Sequence, residues 1–277
     1  MSVPSHSAPP TRLLHLSDIH VGTEEAPEVE RSLATLIERV APELIVASGD
    51  LTHRGRTRQH AAAAAYLRSL GPPVLAIPGN HDIPYTFPAR FTRPWAEFER
   101  LWETTQPVHV SDTVCLVGLN SVRPWRHQSG AVRDGQLDWA VSQLAAAPPG
   151  ALRIVALHHQ LGGAPWRTRK RPVARRDHVL GALVDAGAEL VISGHTHQGA
   201  VAERHEFDVW SANQRGAVVA TAPGLGQPRP HRLGEARGLL VYEADERSLT
   251  VHTHIWREGD WRPTAERRFP RGTVALD

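Results

Sequence analysis

Short apolar runs alternate with longer amphipathic stretches through the first two-thirds of the chain. Leu13-Leu14-His15-Leu16-Ser17 predicts a strand that closes on Asp18. Val29, Leu33, Leu36, Ile37 and Val40 recur at helical spacing and predict an amphipathic helix over 28–40. Leu44-Ile45-Val46-Ala47 is a strand ending at Gly49-Asp50, and the Ala-rich stretch 57–70 is a helix stopped by Gly71-Pro72-Pro73. A strand over 74–77 runs into Pro78-Gly79-Asn80, and a Pro- and aromatic-rich stretch from 83 to 107 holds a helix near 95–102. The alternation resumes with strands over 113–119, 154–157 and 190–192 and helices over 135–144 and 177–186. Beyond Gln198 the segments 201–205, 217–221, 238–242 and 249–256 predict a meander of antiparallel strands. A βα alternation followed by β structure, without internal repeat or linker, reads as one domain over 12–277 behind a disordered leader, 1–11.

Composition narrows this picture. With 277 residues and 41% hydrophobic side chains, the chain can bury roughly three-quarters of its unfolded surface. Collagen-like, low-complexity and globally disordered classes are excluded. The single cysteine, Cys115, rules out an internal disulfide and a Cys-rich zinc module, and its place in a strand makes it an inert core residue. No apolar run approaches the ~20 residues of a membrane span, and the first ten residues lack a signal peptide's charged and apolar regions. A cytoplasmic protein without a membrane partner is the expectation by elimination. The net charge is +2, almost all of the positive charge is arginine, and Lys170 is the sole lysine. That balance exerts little long-range pull on polyanions, so a nucleic-acid polymer is not an expected partner; a homodimer is left open. Histidine is the unusual count, at 17.

Five polar clusters close five of the strands: Asp18-Ile19-His20, Gly49-Asp50, Gly79-Asn80-His81-Asp82, His158-His159 and Gly194-His195-Thr196-His197. Ligands of open α/β sheets bind beyond the carboxyl ends of the strands, so these side chains are expected to converge in one crevice. Carboxylate and imidazole donors without thiolate suit Mn, Fe, Zn or Co. Asp-x-His and His-x-His put alternate residues on one side of an extended segment. So many donors exceed one ion's needs; two divalent metal ions sharing a carboxylate, about 3.5–4 Å apart, would use them.

In residue types and order these clusters resemble the five-motif signature of the calcineurin-like metallophosphoesterases, over at least residues 13–198. The resemblance implies a four-layer α/β/β/α sandwich with mixed sheets, its C-terminal part mostly antiparallel. It implies that Asp18, His20 and His197 bind one metal, that Asn80, His158 and His195 bind the other, and that Asp50 bridges both. His81 would steady the phosphoryl oxygens or protonate the leaving group, while Asp82 would orient His81 or a neighbouring ligand. Asn80, His81 and His159 are the expected substrate contacts. Water activated by the two ions would attack phosphorus in line, so the implied activity is metal-dependent hydrolysis of a small phosphoester.

Within that superfamily the chain looks most like the small bacterial phosphodiesterases of the cyclic-nucleotide and glycerophosphodiester type. Those continue the paired histidine with prolines, whereas this chain reads His158-His159-Gln160-Leu161-Gly162, a departure at the pocket rim. Phosphomonoesters, triesters, a nuclease activity and a non-catalytic scaffold of the same fold remain as alternatives. The run from Arg167 to Lys170 and Arg171, with Arg175-Arg176, reads either as a phosphate-contacting loop or as a solvated surface. The aromatic stretch from Tyr85 to Trp102 reads either as a pocket wall or as a core-packing face. Asn120, Ser121 and Arg123 could line the crevice. Among histidines outside the motifs, His53 is the one expected near the site, because it closely follows Asp50.

Overall fold

The computed structural model describes residues 9–23, 27–126, 128–162, 170–203, 216–226 and 235–271. The first half of the chain builds β1 (Thr11–Leu16), α1 (Pro27–Val40), β2 (Leu44–Ala47), α2 (Thr57–Ser69), β3 (Val74–Ala76), α3 (Ala89–Thr92) and α4 (Ala96–Trp102). Next come β4 (Val108–Val110), β5 (Val114–Leu119), β6 (Ser129–Ala131), α5 (Asp134–Ala145), β7 (Leu152–Leu157), β8 (Arg171–Ala174), α6 (Arg176–Asp185) and β9 (Leu190–Ser193). The chain closes with β10 (Ala200–Glu203), β11 (Val218–Thr221), β12 (Gly238–Ala244), β13 (Ser248–Arg257) and β14 (Asp260–Pro270).

Two six-stranded sheets result, ordered β14-β13-β12-β1-β2-β3 and β10-β11-β9-β7-β5-β4, with β6 and β8 as a small extra ribbon. Strand periodicity explains the layering. Leu13, Leu44, Val46 and Leu75 point inward and meet Leu116, Ile154 and Ile192 of the second sheet. Their neighbours Leu14, Leu16, Ile45 and Ala47 point the other way, onto Leu33 and Leu36 of α1, Leu67 of α2 and Phe98 of α4. On the far face of the second sheet, Val117, Leu119, Val155 and Leu157 pack on Leu137 and Leu144 of α5 and Val179 and Leu183 of α6. Both sheet faces are covered, so the central strands read as continuous apolar runs. The expected four layers, helices–sheet–sheet–helices, are present.

Local signals set the helix ends. Proline at the first position, Glu28 and Glu30 in the first turn and Arg39 in the last suit the backbone dipole of α1. Gly71, at φ +100°, follows the end of α2 in a conformation that favours glycine. One histidine is built into the inter-sheet core. His15 bonds Ser48 Oγ at 2.8 Å and Tyr242 Oη at 2.9 Å, and burial pulls its pKa down to about 3, so it is neutral there. Cys115 is buried, as its strand position implied.

Three expectations change. The C-terminal strands do not form one meander: β10 and β11 complete the second sheet, where β11 runs parallel to β9. β10 and β11 pair antiparallel there, while β12, β13 and β14 are successive antiparallel neighbours in the first sheet. Alternation marks a strand but not its partner. Second, β14 has a strongly polar exposed face and carries Pro263, which an edge strand tolerates. It escaped the pattern although Trp261 and Phe269 anchor it in two cores. Third, β1 starts at Thr11, which pairs with Ala244 and so belongs to the sheet and not to the leader. The aromatic stretch is mixed: Phe98 is buried in a core, whereas Phe87 is 84% exposed and Phe91 54%, which fits neither reading. Among the described residues no helix is long and apolar enough to cross a membrane.

Candidate metal centre

Strands β1, β2 and β3 run parallel in one sheet, and β5, β7 and β9 run parallel in the other. The segments beyond their carboxyl ends are tied together across the sandwich. His195 donates its amide to Asp18 Oδ2 at 2.7 Å, and His158 Nδ1 donates to the Ser48 carbonyl at 2.9 Å. All five sequence clusters therefore meet at one rim. The backbone there is unusual: Asp18, His20, Asp50, His195 and His197 all have positive φ, between 51° and 69°. Non-glycine residues rarely adopt this region, and such strain gathers at functional sites. The turns also need glycine. A Cβ on Gly49 would lie 2.7 Å from both the Gly79 amide nitrogen and His158 Nδ1, and one on Gly194 would strike Ser17 Oγ.

Among the described residues three groups could hold a metal, and two of them are built wholly from the expected ligands, the third being His20 with His53 and His81. Asp18, His20 and His197 bring one ligand atom each within 4.8 Å of one another, and so do Asp50, His158 and His195. In the first group Asp18 Oδ1 lies 3.0 Å from His197 Nε2, whose distance to His20 Nε2 is 3.2 Å. In the second, His158 Nε2 lies 3.2 Å from both Asn80 Oδ1 and His195 Nδ1. Asp50 touches both groups, with Oδ1 at 3.4 Å from His158 Nε2 and Oδ2 at 3.8 Å from His20 Nε2. Bonds of about 2.0–2.2 Å to one ion set neighbouring donors roughly 3.0–3.5 Å apart, so these separations suit coordination. Among the described residues buried Asp18 Oδ1 has no hydrogen-bond partner beyond its 3.0 Å approach to His197 Nε2, as a metal-facing oxygen would be. A hard-to-borderline divalent cation fits both groups.

Outer contacts fix which imidazole nitrogen faces inward. Nδ1–H of His158 is committed to the Ser48 carbonyl and Nε2–H of His195 to the Gln128 carbonyl at 3.3 Å, leaving His158 Nε2 and His195 Nδ1 toward the centre. Burial alone would raise the Asp18 and Asp50 carboxyls, but facing histidines, His197 for Asp18 and His158 for Asp50, hold both well below the usual range. Burial lowers His158, but the Asp50 carboxylate more than reverses it, raising the pKa to about 9. Burial holds His195 well below its ordinary value.

Around this centre the structure assigns positions that spacing could not. His81 remains partly open, and its amide donates to Asp50 Oδ1 at 2.8 Å. Its Nδ1–H is shared between the His53 carbonyl and Tyr85 Oη, both at 2.7 Å, so Nε2 is left free. His53 stands with His20 and His81, as its place after Asp50 suggested. Asp82 does not reach the His81 ring. Its carboxylate accepts from the amides of Gly79 (2.8 Å), Thr52 (2.8 Å) and Leu51 (3.1 Å) and from Thr52 Oγ1 (3.0 Å), locking the loop that carries Asp50. Asp82 is thus a positioning residue. His159 is 1% exposed and packs behind His158 and His195, with Nδ1 bonded to Ser121 Oγ at 2.9 Å. Arg123 turns to the carbonyls of Asn120 and Val122.

Lys170 and Glu235 add to the contributors from outside the motifs. Lys170 donates to the His195 carbonyl, so the end of the basic run reaches the rim; positions 167–169 lie outside the described residues. Arg175 and Arg176 pair instead with Asp134 and Asp177, a surface role. Glu235, just before β12, sets its carboxylate 3.5 Å from His197 Nδ1. Nothing in its spacing marked it, because the intervening chain leaves the rim and returns.

A family model described as calcineurin-like phosphoesterase matches residues 11–199. The chain is 26% identical over 295 residues to glycerophosphodiester phosphodiesterase GpdQ of Enterobacter lignolyticus, covering 93% of this chain and 99% of that one. It is 28% identical over 213 residues to a probable cyclic nucleotide phosphodiesterase of a Synechococcus species, covering 69% and 75%. Among solved structures, a dimetal phosphatase from Danio rerio superposes with a TM-score of 0.64 at 13% identity, covering 95% of this chain and 99% of that one; it shares the fold. With the matched region holding every cluster at the rim, the chain belongs to the calcineurin-like phosphoesterases.

Proposed function

We propose that this chain hydrolyses small phosphodiesters at a centre of two divalent metal ions. One observation carries the reading: the two oxygens of Asp50 face two separate donor groups, so one carboxylate serves both. Asp18, His20 and His197 would hold one ion and Asn80, His158 and His195 the other. A bound pair of such ions supplies a nucleophile from water at neutral pH and neutralises charge on the phosphoryl oxygens. The protein's own part is positioning and proton handling. Asp82 holds the 50–52 loop, and His81 presents Nε2 beside the donors, where it can bind a phosphoryl oxygen or protonate the departing alcohol. The diester preference is supported by the glycerophosphodiester and cyclic-nucleotide enzymes among its relatives.

Metal analysis joined to turnover on phosphomonoesters, linear and cyclic diesters and triesters tests this. Two metals per chain and highest kcat/KM on diesters are expected; a monoester preference would overturn the diester reading. Inactivity on every ester after loading with Mn²⁺, Fe²⁺ or Zn²⁺ would favour a scaffold.

Metal uptake should release protons. His158, raised to about 9, is protonated at pH 7 in the metal-free protein, and its ligand nitrogen must lose that proton to bind. Affinity should therefore rise with pH until about 9. Calorimetry in buffers of different ionisation enthalpy reads this, and pH-independent uptake between 7 and 9 would contradict it.

Glu235→Gln is expected to weaken binding at the first site by roughly 10–100-fold, since a carboxylate behind a ligand imidazole raises its basicity. Chelator competition measures the loss. An unchanged affinity would reduce Glu235 to a packing residue.

A further inference from the structure

Beside the centre lies a cleft of about 590 Å³ lined by Arg54, Arg56, Tyr85, Arg93 and Glu97 among others. Tyr85 joins it to the rim, because its hydroxyl lies 2.7 Å from His81 Nδ1. Arg54 follows His53 directly and acts electrostatically on both His53 and Tyr85. None of Arg54, Arg56 and Arg93 has a carboxylate within ion-pair distance among the described residues. The one acid in the wall, Glu97, is held by Arg100 at 3.0 Å. Below the wall, Arg90 is 4% exposed, lies 6.0 Å from the Tyr85 ring and, among the described residues, donates to the carbonyls of Pro124 (2.7 Å) and Pro84 (3.2 Å). Elsewhere arginines find acids: Arg12 pairs with Glu243 and Arg271 with Glu189. Uncompensated guanidiniums around a cleft that shares Tyr85 with the rim of the candidate site point to a second anion in the substrate.

We propose that the cleft binds a phosphate group carried on one arm of the phosphodiester, about one tyrosine side chain from the scissile phosphorus. This rests on the diesterase reading above and deepens it. Forked guanidinium donors suit a doubly charged phosphate better than a carboxylate. A simple 3′,5′-cyclic nucleotide, with its single charge at the metals, would leave the cleft empty. Linear diesters with a terminal phosphomonoester would fill it.

Two probes differ only in that group: the diribonucleotide ApA and its 5′-phosphorylated form pApA. Each is titrated as an inhibitor of bis(4-nitrophenyl) phosphate hydrolysis by the metal-loaded protein. Inhibition by pApA is expected to be at least about tenfold tighter than by ApA, and to weaken with added salt. In the Arg54→Ala/Arg93→Ala variant the ratio should fall toward one, while turnover of bis(4-nitrophenyl) phosphate stays within about twofold. Both residues are exposed, so the fold should tolerate the change. Equal inhibition by the two probes in the unaltered protein, or a ratio that survives in the variant, would overturn the proposal. Absence of bis(4-nitrophenyl) phosphate turnover would count against the hydrolase reading alone; calorimetry with the same two probes then decides the cleft.

Discussion

Asp50→Asn is expected to reduce the metal content from two ions to at most one per chain and to lower kcat/KM on a diester by about 10³-fold or more. The physical reason is that one side chain faces both donor groups, with Oδ1 toward His158 and Oδ2 toward His20. Asparagine keeps an oxygen to accept the His81 amide, now bonded to Oδ1 at 2.8 Å, so the loop retains that hydrogen bond. It loses the negative charge that two cations would share, and one of its two acceptor atoms. Elemental analysis after dialysis against a weak chelator reads the stoichiometry, and circular dichroism confirms the fold. A variant that keeps two metals and activity within tenfold would show that Asp50 is not the bridge.

His81→Ala should behave in the opposite way, keeping both metals while kcat falls about 10²–10⁴-fold, the usual loss for a proton-transfer or phosphate-orienting group. Its Nδ1–H is already spent on the His53 carbonyl and Tyr85 Oη, and Nε2 alone is available to substrate. The loss should be largest for poor leaving groups such as alkoxides and small for 4-nitrophenolate if His81 protonates the departing oxygen. A uniform loss would instead assign it to holding the phosphoryl group. Loss of a metal would make His81 a ligand and contradict the division of donors proposed above.

The centre was unusually legible because most of its donors sit one to four residues past a buried strand. A continuous apolar run such as Leu44–Ala47 marks a strand covered on both faces, and a parallel sheet sends every such carboxyl end to the same edge. Asp82 was expected to orient His81 or a neighbouring ligand, and its contacts favour the second, the loop that carries Asp50. A carboxylate beside a histidine in sequence suggests a pair, yet the turn at Gly79 directs it to backbone amides on the 51–52 segment. His159 likewise stands next to a candidate ligand, but its Nδ1 is bonded to Ser121 Oγ and its ring fits against Gly130. Apart from β14, the C-terminal strands were recognised as strands but expected in one meander, whereas β11 takes the parallel neighbour β9 from an earlier part of the chain.

What the sequence determined by itself was therefore local and periodic: the helices, the buried strands, the donor types at their ends and the family to which they belong. Tertiary structure alone decided which strands share a sheet, how Asp50 divides its two oxygens, that Glu235 returns to back His197, and that Arg54, Arg56 and Arg93 enclose one cleft beside Tyr85. The reason is range. Periodicity and turn chemistry act over a few residues and are written in neighbouring letters, whereas a contact such as Asp18 with the His195 amide, 177 positions apart, exists only once two sheets have packed.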